Sequence, residues 1–252
     1  MKISSIWDNK YLKRILIISF WILIWQIVSL IISEEILLVS PLNVFKELSQ
    51  MVLTRQYWLT IFNSTYKIII GLILSIVVGV LFGYLSYAIS FFRDFIHPLI
   101  GFFRAIPVAS FVIFLLIWIN SRNLSIYISF IMGMPIIYEN VYTGFISIDK
   151  KLKEMAKVFN ISTFKKIKYI YIIKVKDYFK SGVISSSGLI FKAAIAAEVI
   201  GLQPNSIGEK LYFSKVYLNM RELFSWTITI LILSLIFEKL IKVFLGGKHD
   251  KI

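Results

Sequence analysis

Apolar residues along this chain gather in long blocks, not in the short periodic stripes of a water-soluble fold. Residues 15–32 are eighteen positions without a charge, preceded by Lys10, Lys13 and Arg14. A helix rising ~1.5 Å per residue needs ~20 such residues to cross the hydrocarbon layer, so this block predicts a membrane helix. It is followed by Ser33-Glu34-Glu35 and not by the small-residue cleavage site of a signal peptide. A second span is predicted over 68–85, where Gly71, Ser75, Gly79 and Gly83 recur four apart. That spacing lines small residues along one stripe, where another backbone can approach closely. Residues 95–119 predict a third span interrupted by Arg104 and Pro107, so that only a short clean stretch remains from Ala105 onward. Spans over 124–146, with Pro135 and Glu139 inside, over 181–200 and over 223–245 complete the series. The expected fold is all-α: a polytopic membrane helix bundle of about six transmembrane helices.

Between these blocks two segments read as helices lying at the membrane surface. Ser40-Pro41 is a helix-start signal, after which Leu42, Phe45, Leu48 and Val52 share one face. Residues 201–222 are similarly mixed, with Tyr212, Phe213 and Tyr217 at headgroup depth.

Cations set the orientation. Residues 147–180 hold ten lysines, and Lys2, Lys10, Lys13, Arg14, Lys248 and Lys251 mark the two ends. The alternate loops are poor in cations: 33–66 has only Lys46 and Arg55, and 120–123 only Arg122. The excess of Lys and Arg on the cytoplasmic side of membrane proteins therefore predicts both termini and the 147–180 loop in the cytoplasm. The expected layout is a cytoplasmic segment over 1–14, a membrane domain over 15–245 and a cytoplasmic segment over 246–252.

Composition agrees: 58% of the 252 residues are hydrophobic and 17% charged, against about 45–50% and about 25% in soluble domains. The net charge of +14 would suggest a nucleic-acid partner in a soluble chain; distributed between apolar blocks, it reports topology instead. Cysteine is absent, which removes disulfides, thiolate metal sites and cysteine nucleophiles, and His97 and His249 are too few and too far apart for a metal cluster. No cofactor or catalytic set is expected.

The lysine-rich loop nevertheless keeps apolar periodicity. Leu152, Met155, Ala156 and Phe159 follow the i, i+3, i+4, i+7 pattern of an amphipathic helix, and Asn160 tolerates the left-handed conformation that ends helices. Ser162 and Thr163 can cap a second short helix beginning near Phe164. Two readings fit such a helix: a basic surface that holds anionic lipid, and a site where another protein docks.

Here the residues carry a resemblance. Residues 149–174 resemble the coupling loop of binding-protein-dependent ABC importer permeases, whose pattern is Glu-Ala-Ala, a Gly four residues later, and a hydrophobic run ending in Leu-Pro. This chain has Glu154-Met155-Ala156, Asn160 at the Gly position and Ile172-Ile173 where Leu-Pro would fall. Arg104-Ala105-Ile106-Pro107 with the later Ile117-Trp118-Ile119 is similar to the Arg-x-Ile-Pro and Trp-Phe-Gly segment of the nitrate/sulfonate/taurine branch. Ser40-Pro41 resembles that branch's Pro-Ser-Pro, Ala197-Glu198-Val199-Ile200-Gly201 its Ala-Glu-x-x-Gly, and Ser206-Ile207-Gly208 the Gly-Leu-Gly that follows.

The resemblance implies a transmembrane permease subunit of an ATP-driven solute importer in the bacterial cytoplasmic membrane. Two copies would line the path, two ABC ATPase subunits would dock on the cytoplasmic loops, and an extracytoplasmic solute-binding protein would deliver a small anionic, nitrate- or sulfonate-like solute. It implies ATPase coupling through Leu152, Glu154, Met155, Ala156, Phe159 and Asn160. The chain has no Gly-x-x-x-x-Gly-Lys-Ser/Thr loop of its own: Gly246-Gly247-Lys248 has Ile at position 241 and is followed by His249. It is therefore expected to be a transport component and not an enzyme.

Charged groups at membrane depth cost ~2.5–3.5 kcal/mol on insertion scales, which makes Glu139, Lys192 and Glu198 candidates for the translocation path, with Arg104 and Pro107 nearer a span end. Two roles fit Lys192: contact with an anionic substrate, or an ion pair with Glu139 or Glu198 that fastens two helices. Glu198 is expected beside the outer gate, or as a solvated cap before Gly201. The rival classes are a scaffold or energy-coupling subunit without a path of its own, a secondary transporter with an internal repeat, and a membrane-embedded enzyme. The last would need a convergent acid, histidine or nucleophile set that the scattered charges do not provide.

Overall fold

The computed structural model describes residues 10–246, and every regular element among them is helical. Lys2, Lys248, Lys251 and His249 lie outside the described residues. The elements are α1 (Lys10–Ile32), α2 (Pro41–Val52), α3 (Arg55–Ala88), α4 (Ser90–Ala105), α5 (Val108–Leu116), α6 (Leu124–Ile146), α7 (Lys150–Val158), α8 (Thr163–Lys166), α9 (Ile172–Ile200), α10 (Ile207–Val216) and α11 (Met220–Leu245). A five-residue π-helical stretch, Ile167–Tyr171, joins α8 to α9.

By length and composition, four helices can each cross a membrane: Leu12–Ile32, Arg55–Ala88, Ser121–Ile146 and Thr163–Ile200. The α4–α5 pair adds a fifth only if it counts as one span, because its halves are bent by 104°. The interruption expected in the third span over 95–119 is thus a sharp bend between two helices. Ile106 is extended (ψ 130°) and Pro107 has no N–H to donate, so the helix stops at the residue before proline and restarts in a new direction. Pro135, by contrast, lies within an unbroken α6. The expected sixth span is part of the 26-residue α11, whose last turns carry Glu238, Lys239 and Lys242.

Two expectations need correction. The second span is not confined to 68–85 but is the C-terminal part of the 34-residue α3, which begins at Arg55. The second short helix of the lysine-rich loop is not separate: from Thr163 the chain runs helically for 38 residues to Ile200. Lys174, Lys176 and Lys180 therefore sit on the end of a membrane helix and not in a loop.

The described residues form two compact units: one of residues up to 59 with 210–230, the other of 60–209 with those from 231 onward. In the first, Ser40 caps α2 as expected, its Oγ accepting from Asn43 N–H at 3.3 Å, and Leu42 and Phe45 stay exposed as a surface helix requires. Trp25 Nε1 donates to Val39 O at 3.0 Å and Tyr57 stacks on Trp226 at 5.1 Å. Arg221 pairs with Glu35 at 2.6 Å.

The second unit is built on close approach of α3 and α6. A Cβ at Gly71 would meet Ser129 Cβ at 2.3 Å, and one at Gly83 would meet Val141 Cγ1 at 2.9 Å. Between them Ser75 Oγ bonds Ser129 O at 3.2 Å and Phe130 O at 3.0 Å. The stripe of small residues does what its spacing predicts, letting two backbones touch where lipid offers no hydrophobic drive. Helix α9 packs along α6 as well: a Cβ on Gly182 would meet Asn140 Cβ at 2.8 Å, and one on Gly144 would meet Tyr178 Cβ at 3.1 Å.

Candidate functional site

Helix α7 is a short elbow held on the lysine-rich end of this unit. Asp149 caps it, one carboxylate oxygen accepting from Lys151 N–H at 2.9 Å. It ends in a Schellman turn: Ile161 N–H reaches Ala156 O at 3.0 Å and Asn160 N–H reaches Lys157 O at 3.1 Å. Asn160 takes φ 49°, the left-handed conformation this turn demands, so Asn does the work of the Gly at that position in the resembling pattern. Ile161, the residue after the turn, joins Ala156, Leu152, Ile148 and Ile170 in one apolar cluster backed by Phe145 and Tyr171. The elbow is thereby pinned to the ends of α6 and α9, which share its cluster.

That cluster divides the six predicted coupling residues. Ala156 is 1% exposed and Leu152 is half-buried, both turned into the protein, so in this structure Ala156 cannot touch a partner. Glu154, Met155, Phe159 and Asn160 face outward. With them stand Val158 at 77% exposure, Phe159 at 73% and Phe164 at 73%. The outward apolar group is therefore Met155, Val158, Phe159 and Phe164, one residue round the helix from the stripe that sequence periodicity selects. Periodicity finds an apolar face, but not which of two apolar faces the protein keeps for itself.

At the far end of α9 the Ala-Glu-x-x-Gly segment closes a buried polar clamp. Glu198 is fully buried, not a solvated cap. Its Oε2 accepts from Ser64 Oγ at 2.9 Å and from Gly208 N–H at 3.2 Å, and its Oε1 from Gln203 Nε2 at 3.2 Å. Gln203 also bridges to α6, its Oε1 accepting from Ser125 N–H at 3.0 Å. Ser64 Oγ in turn accepts from Ile207 N–H at 3.0 Å. One carboxylate thus ties α3, α9, the 201–206 connection and the start of α10. A Cβ on Gly208 would meet Glu198 Cβ at 2.3 Å, and one on Gly201 would meet Leu124 Cδ2 at 2.3 Å. Ser64 and Ser125 carry no sequence signal, being single small polar residues far from Glu198 along the chain, and Gln203, five positions on, stands in no recognisable motif with it.

The remaining path candidates are separate from this clamp. Arg104, just before the α4–α5 bend at Pro107, lies 3.9 Å from Glu139 on α6, both side chains exposed. Glu139 is therefore the partner of Arg104, and Glu198 is engaged by uncharged donors. The predicted pairing of Lys192 with either carboxylate is not what the structure has. Lys192 stands exposed on α9, within electrostatic reach of Glu238 on α11.

A helical bundle with a pinned, outward-apolar elbow at one end and a buried clamp at the other, built on several membrane-length helices, is that of a multi-pass membrane protein. The chain belongs to the family of binding-protein-dependent transport system inner membrane components, whose pattern matches residues 75–244. It is 22% identical over 211 residues to a probable ABC transporter permease of Brucella melitensis, covering 83% of this chain and 85% of that protein. It is 24% identical over 201 residues to the nitrate import permease of Synechococcus elongatus, covering 75% and 72%. To the putative aliphatic sulfonates transport permease of Bacillus subtilis it is 21% identical over 194 residues, covering 76% and 70%. Proteins of this family are transport subunits and not enzymes.

Proposed function

We propose that this chain forms the translocation path of an ATP-driven importer as one of two permease copies, and that α7 is the handle through which two ATPase subunits move it. The observation that carries the reading is the elbow's exposed apolar group: Met155, Val158 and Phe159 at the end of a helix whose other face is locked into the bundle, joined by Phe164 of α8. Isolated exposed apolar residues are ordinary; Met155, Val158 and Phe159 together at the end of one short helix, with Phe164 just across the turn, suit a protein partner. A basic surface helix that merely rests on lipid needs no such locking.

The mechanism follows from stiffness. Closure of the ATPases on ATP would push the elbow as a rigid body. Helices α6 and α9, which leave it at either end and pack along each other, would rock together in a hinge-type transition between inward- and outward-facing states. The cytoplasmic placement of the elbow rests on the lysine excess of residues 147–180. Purification of the intact permease from bacterial membranes should retain an ATPase and, with substrate present, a solute-binding protein. A permease purified with ATP-hydrolysing activity absent under every mild detergent tried would contradict the reading.

The solute proposed is a small anion. Support comes from the similarity to a nitrate import permease and to a sulfonate permease, and from Lys192, an exposed cation well inside a membrane helix. An ionisable group at that depth is a candidate functional residue by default, here with Glu238 of α11 within electrostatic reach. In reconstituted vesicles Lys192→Met should lower nitrate or alkanesulfonate uptake at least about tenfold, the loss of one charge-assisted contact. Uptake and selectivity unchanged by Lys192→Met would remove the anion reading and leave the permease reading intact.

A further inference from the structure

Between α3, α6 and α9, beside the elbow, lies a cavity of about 810 Å³. Its walls are apolar: Val77 and Val80 of α3, Val141 of α6, and Ile172 and Val175 of α9. Toward the lysine-rich end they become amphipathic, with Tyr84, Tyr87 and Tyr171 lining the cavity. Tyr87 Oη donates to Tyr171 Oη at 3.4 Å, and both rings pack on Phe145. Two cations stand at this end. Lys176 lines the cavity itself, and Lys153 Nζ sits 5.0 Å from the centre of the Tyr87 ring. No carboxylate lines the cavity.

The cavity opens to the surface of the unit, and water there would need polar partners that these walls lack over most of their area. The cavity borders apolar surface that is itself uncovered, at Val77, Tyr84, Ile172 and Ile173, so its natural filling comes from the bilayer. An apolar slot between membrane helices, closed at the headgroup level by tyrosines and two lysines, is complementary to one molecular class: an amphiphile with an acyl chain and an anionic head. We infer that it holds a phospholipid of anionic headgroup, drawn from the leaflet on the lysine-rich side, with its chain between α3 and α9 and its phosphate against Lys176 and Lys153.

The site has a mechanical consequence. One of its walls is the helix that leaves the elbow, including Ile167 and Tyr171 of the π-helical stretch. Single π turns mark places where a helix can re-register. A lipid wedged there loads the joint between the elbow and the bundle, so lipid composition would set how freely the elbow moves.

The test uses the full permease exchanged into detergent with equimolar dioleoyl-phosphatidylglycerol and dioleoyl-phosphatidylcholine, followed by native mass spectrometry. One phosphatidylglycerol per chain should be retained, with a preference of about tenfold over phosphatidylcholine. Lys176→Glu with Lys153→Glu should abolish the preference; both side chains reach solvent, so the fold survives the change. Val80→Trp, which fills the slot, should expel both lipids. Equal retention of the two lipids by the unaltered protein would overturn the inference, as would phosphatidylglycerol held undiminished by both variants. A photoreactive residue at position 84 that captures a second permease copy instead of lipid would also overturn it, assigning the slot to a protein interface.

Discussion

Gly208→Ala should leave a permease that barely assembles. The added methyl would lie 2.3 Å from Glu198 Cβ and 2.4 Å from Val199 N, and the second of these is backbone that cannot swing aside. Overpacking against fixed atoms costs about 1–3 kcal/mol or more. Glu198→Leu attacks the same clamp from the other side. It strips the acceptor from Ser64 Oγ, Gln203 Nε2 and Gly208 N–H together, at about 1–3 kcal/mol for each buried donor left unmatched. Against a total of about 5–15 kcal/mol, either loss is large. Thermal unfolding followed by size-exclusion chromatography in detergent should fall by about 10 °C for each. Glu198→Gln keeps one acceptor oxygen and should fall less than Glu198→Leu. Melting unchanged in Glu198→Leu would mean that the clamp holds nothing together.

Val158→Asp with Phe159→Asp should do the opposite: preserve the fold and abolish function. Both side chains are more than 70% exposed, so a carboxylate at either costs the isolated permease nothing in packing. In a docked complex the same carboxylates would sit in an apolar groove without partners. Interface anchors of this kind are worth about 2–4 kcal/mol, or about 30- to 1,000-fold in affinity for the ATPase. Pull-down with the permease held at matched, monodisperse concentration measures the loss. Ala156→Asp gives the contrast. It forces a charge into the cluster of Ile148, Ile170 and Leu152, so it should free the elbow from the bundle and expose the 149–161 segment to protease. Transport would fail in both variants, but only Ala156→Asp should change the proteolysis pattern.

The contrast shows where the sequence was readable and where it was not. Spans announce themselves because lipid demands uninterrupted apolar runs, and α6 begins and ends at the predicted residues, Leu124 and Ile146. Pro107 announced a break, because proline acts on its own neighbours whatever the tertiary setting. Asn160 was legible for the same local reason. The 34-residue length of α3 was not, since its first turns, from Arg55, carry polar residues that hydropathy reads as loop. Nor was the clamp: Ser64 and Glu198 are 134 positions apart, and only the fold brings them to 2.9 Å. Which face of α7 is free depends on Ile148 and Ile170, residues outside the helix, so no pattern within 150–158 could decide it.

If an ATPase grips the outward face of α7, crosslinking from that face reports it most directly. The chain contains no cysteine, so single introduced cysteines report without background. Met155→Cys, Phe159→Cys and Ala156→Cys, each in membranes that contain the assembled transporter, can be treated with a short bifunctional thiol reagent that also reaches lysine. The account predicts efficient linkage of positions 155 and 159 to an ATP-hydrolysing subunit, and little from the buried position 156. Linkage of none of them to such a subunit, with positions 155 and 159 labelled instead by an impermeant thiol reagent added outside intact cells, would contradict it.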